Sequence, residues 1–185
     1  MSETETVTRL WTPDGFREDE WRHEDGAEAL AGNHRVILPL AVFVDLDDAT
    51  RAAAADRIGV HVLPGEPLDG LVPFLAQLPL VSLGFPAFND GRSYSKAELL
   101  RSRHGYGGTI RASGDVLIDQ IPLMIRTGFS EFEVTKETAL SRLGQGRVGG
   151  IPFHYQPAAK AGDSGGGYSW RRRPAACAFC PTGLH

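Results

Sequence analysis

The sequence predicts a single α/β domain of about five βα units, in which helices cover a mainly parallel sheet. Two observations predict this class. Short apolar runs alternate along the chain with segments of helical character, and the runs recur at similar intervals. Strands that alternate with helices in this way are joined by right-handed crossovers, which place the helices over the faces of the sheet.

Five segments have the composition of strands. The first is a near-continuous apolar run, which is typical of a strand buried on both faces. In chain order the five are RVILPLAVFVDL, VHVLPG, PLVSLGFPAF, GGTIRA and EFEV.

A helical segment follows each predicted strand. In order these are DDATRAAAADRIG, PLDGLVPFLAQL, SKAELLRSRHG, DVLIDQIPLMIRTG and KETALSRLG. The third has the clearest ends, because Ser95 and Glu98 fit the S-x-x-E capping box and Gly105 fits the left-handed residue beyond a helix end. Pro122 interrupts the fourth segment, which predicts that this helix begins there.

The composition divides the chain into three parts. Residues 1–33 are polar and predict an N-terminal arm that packs on the domain. Residues 34–155 hold the α/β pattern, and residues 156–185 are rich in Gly, Pro, Ala and Arg, which predicts a flexible, disordered tail. Five strands fit either an open layer or part of a (β/α) barrel, and we favour the open layer because a complete barrel typically needs about 250 residues.

Charge and hydropathy exclude several classes of function. A net charge of −4 and a pI near 5.8 argue against a general nucleic-acid-binding protein. No apolar run is long enough for a membrane span, and the acidic N-terminus lacks the features of a signal peptide. With only two cysteines in the sequence, we expect a cytoplasmic protein.

Polar loops are expected to meet at one edge of the sheet. FNDGRS follows the third strand and RASGD follows the fourth, and in parallel sheets ligands bind beyond the carboxyl ends of the strands. Asp45 and Thr135 follow the first and fifth strands at the same edge. The residues predicted to bind a ligand there are Asp90, Gly91, Arg92, Arg111, Gly114, Asp115, Asp119 and Gln120.

The chemistry expected of this edge is anion binding. Arg92 and Arg111 offer planar guanidinium groups suited to carboxylate, phosphate or an oxyanion of sulfur, with Asp90 and Asp115 orienting them. Asp119 and its neighbour join the site only if the chain from 115 to 120 turns back over the sheet edge. A structural alternative remains, in which Asp90 and Gly91 form a turn and Arg111 pairs with Asp115 or Asp119.

Arg101 and Arg103 also lie in this part of the chain. They are two residues apart on one predicted helix, so they do not share a face, and one of the two is expected at the surface.

The stretch from residue 85 to 134 is similar to a bacterial family known as domain of unknown function 934. The shared motifs are F-x-x-F-x-D-G-R-x-Y-S, L-L-R-x-R-x-G-Y, G-x-x-R-A-x-G-D-V-L-x-D-Q and R-x-G-F. The resemblance implies a role in assimilatory sulfite reduction, because members are labelled oxidoreductases of that pathway. Many relatives carry Cys where this chain has Thr127, so a thiol at that position is not required here.

The residues themselves indicate neither a cofactor nor a metal. No G-x-G-x-x-G follows a strand, and the C-x-x-C pair of Cys177 and Cys180 lies in the low-complexity tail without a second ligand pair. His61, His104 and His154 are irregularly spaced, which favours structural roles. Catalytic residues and cofactor therefore stay unassigned, and no metal site is expected.

Three functions remain open from the sequence. In the first, the protein is an oxidoreductase or accessory protein of sulfite reduction with an anion-binding strand edge. Alternatively, it is a non-catalytic subunit that positions sulfite reductase or its electron donor, or a small phosphoanion-binding protein. No nucleic acid and no membrane is expected among its partners.

Overall fold

The computed structural model describes residues 8–87 and 89–149. The predicted tail, its two cysteines and His154 lie outside the described residues. Among the residues described, no helix is long and apolar enough to cross a membrane.

Eight strands form one sheet in the order β2-β1-β8-β7-β6-β5-β4-β3. Strands β3 to β8 are all parallel, whereas β1 pairs antiparallel with both β2 and β8. The strands are β1 (Arg9–Thr12), β2 (Gly15–Arg17), β3 (Trp21–His23), β4 (Arg35–Pro39), β5 (Ile58–Val62), β6 (Leu80–Phe85), β7 (Thr109–Gly114) and β8 (Glu131–Val134). The predicted α/β class with a mainly parallel sheet is confirmed.

Within the described residues, five α-helices and three 3₁₀ segments accompany the strands. The α-helices are α1 (Leu40–Asp45), α2 (Asp48–Ala53), α3 (Arg92–Ser102), α4 (Ile121–Thr127) and α5 (Glu137–Gly144). The 3₁₀ segments are Ala27–Ala31, Ala55–Arg57 and Val72–Gln77.

The detail of five βα units is not confirmed. The apolar run predicted as one long strand divides at Pro39, where β4 ends, and continues as α1. The predicted second helix forms only the 3₁₀ segment Val72–Gln77. The first difference arises because a short apolar run has no periodicity that separates a buried strand from a buried helix.

The capping box predicted for α3 is wrong. The helix begins at Arg92, so Ser95 lies inside it and Glu98 lies a turn further on. The N-terminus is held instead by Asp90, whose carboxylate accepts a hydrogen bond of 3.2 Å from the Arg92 backbone N–H. The left-handed conformation predicted at Gly105 is confirmed by its φ of +61°.

The predicted start of α4 is also confirmed. Pro122 occupies one of the first two positions of the helix, where its missing N–H leaves no intrahelical hydrogen bond unmade.

Residues 9–23, expected to belong to a polar arm, supply three strands of the sheet. β1 lies against β8, with Trp11 beside Phe132 at a ring-centroid distance of 5.5 Å. Trp11 is 3% exposed, so the arm is part of the core. β3 pairs with β4 at the opposite edge of the sheet.

A three-residue link forces the sheet to curl. β2 ends at Arg17 and β3 begins at Trp21, yet these strands are the two edges of the sheet. Four residue steps reach at most about 14 Å, whereas the edges of a flat eight-stranded sheet would lie about 34 Å apart. The sheet therefore forms a curled half-barrel, and the open layer that we favoured is wrong.

The two faces of the curled sheet differ in chemistry. The convex face is apolar and forms the core with the helices, and it includes Val36, Leu38, Val60, Val62, Val81, Leu83, Ile110, Ala112, Phe132 and Val134. The concave face carries the alternate residues of the same strands. On β7, for example, Ile110 and Ala112 face the core, while Arg111 and Ser113 point into the concave side and are also buried.

Arg101 holds two loops together near the end of α3, the loop before β7 and the loop before β8. Its guanidinium donates hydrogen bonds to the Gly128 carbonyl at 3.1 and 2.9 Å, and to the carbonyls of Tyr106 at 2.5 Å and Gly108 at 2.7 Å. This arginine of the L-L-R-x-R-x-G-Y motif therefore joins its own loop to the R-x-G-F motif. Arg103 is exposed, which agrees with the expectation that either Arg101 or Arg103 lies at the surface.

We expect Arg101→Met to lower the free energy of unfolding by about 2–4 kcal/mol, because it leaves partly buried carbonyls without a charged donor. Urea denaturation of the purified variant measures this change. Arg103→Met is the matched control and should change stability by no more than about 0.5 kcal/mol. Equal effects of the two substitutions would show that Arg101 does not hold the loops.

Candidate functional site

A pocket of about 280 Å³ opens at the carboxyl ends of the parallel strands. Its wall is built from the last or next-to-last residue of five strands, namely His23 of β3, His61 of β5, Gly84 of β6, Ser113 of β7 and Glu133 of β8. Leu63, Phe85, Pro86 and Gly114 complete the lining. The curl of the sheet is what brings these residues from separate strands to one place.

A fully buried arginine lies beneath the pocket. Arg111 donates to Glu131 at 2.9 and 2.7 Å, to Asp19 at 2.9 and 3.0 Å, and to Glu133 at 3.2 Å. A guanidinium has five N–H groups, and these five hydrogen bonds use all of them. Arg111 therefore has no donor left for a ligand, and its contacts are those of a structural ion-pair network.

The ion pairs shift the pKa values of the charged groups. Burial alone would lower the pKa of Arg111, but its hydrogen bonds and attraction to Asp19 and Glu131 outweigh burial and raise it. Burial alone would raise the pKa of Glu133, but hydrogen bonding to His23 and Arg111 outweighs that and lowers it. Both Arg111 and Glu133 are therefore charged at neutral pH.

Glu133 connects this network to the pocket. Its Oε1 lies 2.8 Å from Nε2 of His23, and an ionised carboxylate can only accept a hydrogen bond. Nε2 of His23 therefore carries a hydrogen, and the carboxylate orients the imidazole ring. A carboxylate that orients a histidine is a common arrangement in acid–base sites.

His61 is the second histidine of the pocket. Its Nδ1 lies 3.2 Å from the Ser82 hydroxyl and 3.4 Å from the Ser113 hydroxyl, which are 3.0 Å from each other. Its ring meets that of His23 edge to face, with centroids 5.4 Å apart. Burial, followed by the charge of His23, lowers the pKa of His61, so this imidazole is neutral at neutral pH.

The structure places the two predicted arginines in different surroundings. Arg92 bonds Asp90 at 3.0 and 2.7 Å, and its side chain is 64% exposed. Arg111 lies within β7 and not in the loop after it. Asp90 does orient Arg92, as predicted, while Gly91 only precedes α3.

The predicted pairing of Arg111 with Asp115 or Asp119 is replaced by its pairs with Asp19, Glu131 and Glu133. Asp115 lies beyond the end of β7, where its carboxylate pairs with Lys136 at 2.5 Å and its N–H donates to the Phe85 carbonyl. Because Arg111 points into the concave face from mid-strand, its partners are residues that the curl brings onto the same face.

The remaining predicted residues lie in the loops at the strand ends. Gly114 lines the pocket with a φ of +94°, and a Cβ there would lie 2.5 Å from the Phe85 carbonyl oxygen, so no other residue fits. Asp119 is exposed and Gln120 directly precedes α4. Asp45 ends α1 and does not directly follow β4.

The sequence reading did not select most of the residues that form the pocket and the network below it. The overlooked residues are Asp19, His23, Ser82, Ser113, Glu131 and Glu133, and His61 was assigned only a structural role. A signal was present, because Glu131 and Glu133 alternate with apolar residues in EFEV and His61 does so in VHV. Such alternation indicates a second, polar face of the sheet. Within residues 8–87 and 89–149, no cluster of His, Cys, Asp and Glu is suited to hold a metal ion.

The fold and the pocket define an α/β protein with a curled, mainly parallel sheet and a polar site at its strand ends. The family described as "Bacterial protein of unknown function (DUF934)" matches residues 59–164, more than half of the chain, and the protein belongs to this family. The family predicted from the motifs is thus confirmed. No curated protein and no solved structure matches the chain.

We expect Arg111→Met to lower the free energy of unfolding by about 3–5 kcal/mol, because it leaves carboxylates together without their cation. Arg92→Met should leave the denaturation midpoint nearly unchanged, since its pair with Asp90 is exposed. Thermal and urea melts of both variants test this. Similar stability of the Arg111 variant and the wild type would show that the network is not structural.

Proposed function

We propose that the protein serves assimilatory sulfite reduction by binding a small molecule in the pocket at the strand ends. The observation that carries this proposal is the convergence of His23, His61 and Glu133, from three separate strands, on one open pocket. Barrel-like parallel sheets carry their ligand sites at this end.

The size of the pocket favours a small ligand. Ligand pockets commonly enclose about 300–1,000 Å³, and this one, at about 280 Å³, is near the lower limit. Its lining combines apolar side chains such as Leu63 and Phe85 with a few convergent polar groups, which is the usual composition of such sites.

The polar groups of the pocket are suited to proton transfer. Glu133 orients the His23 ring, and the neutral His61 ring, which lies within hydrogen-bonding distance of two hydroxyl groups, is able to accept a proton at neutral pH. This supports the catalytic alternative over a purely positioning subunit, because positioning a partner requires no buried acid–base groups.

The pathway rests on the family resemblance. The chain belongs to the family whose motifs it carries from residue 85 to 134, and a role in sulfite reduction is what that resemblance implies. An electron donor or sulfite reductase itself is the partner that this role requires.

The test is growth of a deletion strain. Without the gene, cells should fail to grow on sulfate or sulfite and should grow on sulfide or cysteine. The wild-type gene and Arg103→Met should restore growth, whereas His61→Gln and Glu133→Gln should not, although both proteins remain folded by circular dichroism. A deletion strain that grows normally on sulfite contradicts the pathway. Folded pocket variants that restore full growth contradict the pocket and favour the partner-positioning alternative.

A further inference from the structure

The pocket has little capacity to bind an anion unless it gains a proton. Asp19, Glu131 and Glu133 face the single cation Arg111, so the layer beneath the pocket has a formal excess of two negative charges. All five donors of that guanidinium are occupied. Among the side chains that line the pocket, those that carry N–H or O–H groups are His23, His61 and Ser113.

We propose that the pocket binds a small oxyanion together with one proton, and that His61 holds this proton while the anion is bound. This inference rests on the proposed function, because it names the ligand class of the same pocket. The ion is recognised by an imidazolium and by the Ser113 hydroxyl, and not by the arginines that the sequence pointed to.

The surroundings of His61 explain why its charge depends on the ligand. From β3 it faces His23, from β8 it faces Glu133, and from the loop after its own strand it faces Glu66. From β6 and β7 only the hydroxyls of Ser82 and Ser113 approach it. Burial and His23 keep the imidazole neutral in the empty pocket, and the two carboxylates only partly oppose them.

An anion in the pocket reverses this balance. A negative charge beside the ring favours the imidazolium, as a carboxylate does when it raises the pKa of a histidine. The serine hydroxyls rotate to accept a hydrogen bond from Nδ1 as readily as they donate one, so the change of protonation needs no movement of the backbone.

The sign of the pH dependence follows from linkage. The pKa of His61 in the empty pocket lies below its ordinary value of 6.5, and a bound anion raises it. Proton uptake therefore occurs between these two pKa values, and affinity for the anion increases about tenfold for each pH unit of acidification within that window. Below the pKa of the empty pocket the affinity becomes independent of pH.

The experiment is isothermal titration calorimetry of the full chain with sulfate, which remains a dianion from about pH 6 to about pH 8, so any proton taken up is held by the protein. Titrations at one pH in two buffers of different ionisation enthalpy give the number of protons bound. We expect about one proton per sulfate for the wild type. We expect almost none for His61→Gln, which should also bind at least about tenfold more weakly at pH 6.

Two further variants test whether His61, and not His23 or Arg92, accounts for the proton uptake. His23→Gln should keep most of the proton uptake, because His61 is the residue that changes charge. Arg92→Met should behave as the wild type, because its guanidinium is paired with Asp90 outside the pocket lining. Sulfate binding without proton uptake overturns the inference, and so does full uptake by a folded His61→Gln protein.

Failure of the inference is distinguishable from failure of the proposed function. If neither sulfate nor sulfite binds the folded wild type at any pH in this range, the oxyanion inference is wrong. The proposed function is decided separately, by whether the pocket variants restore growth.

Discussion

The pairing of one buried guanidinium with three carboxylates is the interaction on which the structure depends. Arg111 is fully buried, and it joins β7 to β8 and to the link between the two edges of the sheet. A buried charge is costly unless paired and fully hydrogen-bonded, and here all five donors are used. Because Asp19 lies on the link that forces the curl, the same ion pair that neutralises the arginine also holds the half-barrel closed.

The curl of the sheet brings the polar side chains that alternate along separate strands together in one pocket. In a flat sheet, β3 and β8 would be five strand spacings apart, or about 24 Å. In this protein His23 and Glu133 from those two strands form a hydrogen bond of 2.8 Å. Most apolar residues of the strands pack under the helices on the convex face, and polar residues such as Arg111, Ser113 and Glu133 lie on the concave face with the pocket at one end.

The charged residues between positions 88 and 120 thus have mainly structural roles. These roles explain the motifs that, in the sequence alone, suggested a ligand site. Asp90 accepts hydrogen bonds from Arg92 at the start of α3, Arg101 binds the carbonyls of two loops, and Arg111 pairs with the carboxylates of the concave face. Each arginine is satisfied by protein groups that surround it. The polar side chains that face the pocket carry imidazole, carboxylate and hydroxyl groups. These groups are suited to proton transfer, whereas none of them carries a permanent positive charge.

The sequence by itself determined the α/β class, the positions of most strands, the start of α4 at Pro122, and the family, because these depend on local periodicity, backbone restriction and motif spacing. It also pointed to the carboxyl ends of the parallel strands, where the structure has a pocket. Only the tertiary structure decided which side chains meet there. Asp19 and Arg111 are 92 residues apart, and nothing in local periodicity pairs them. Their contact exists because a three-residue link curls the sheet and brings its two edges together.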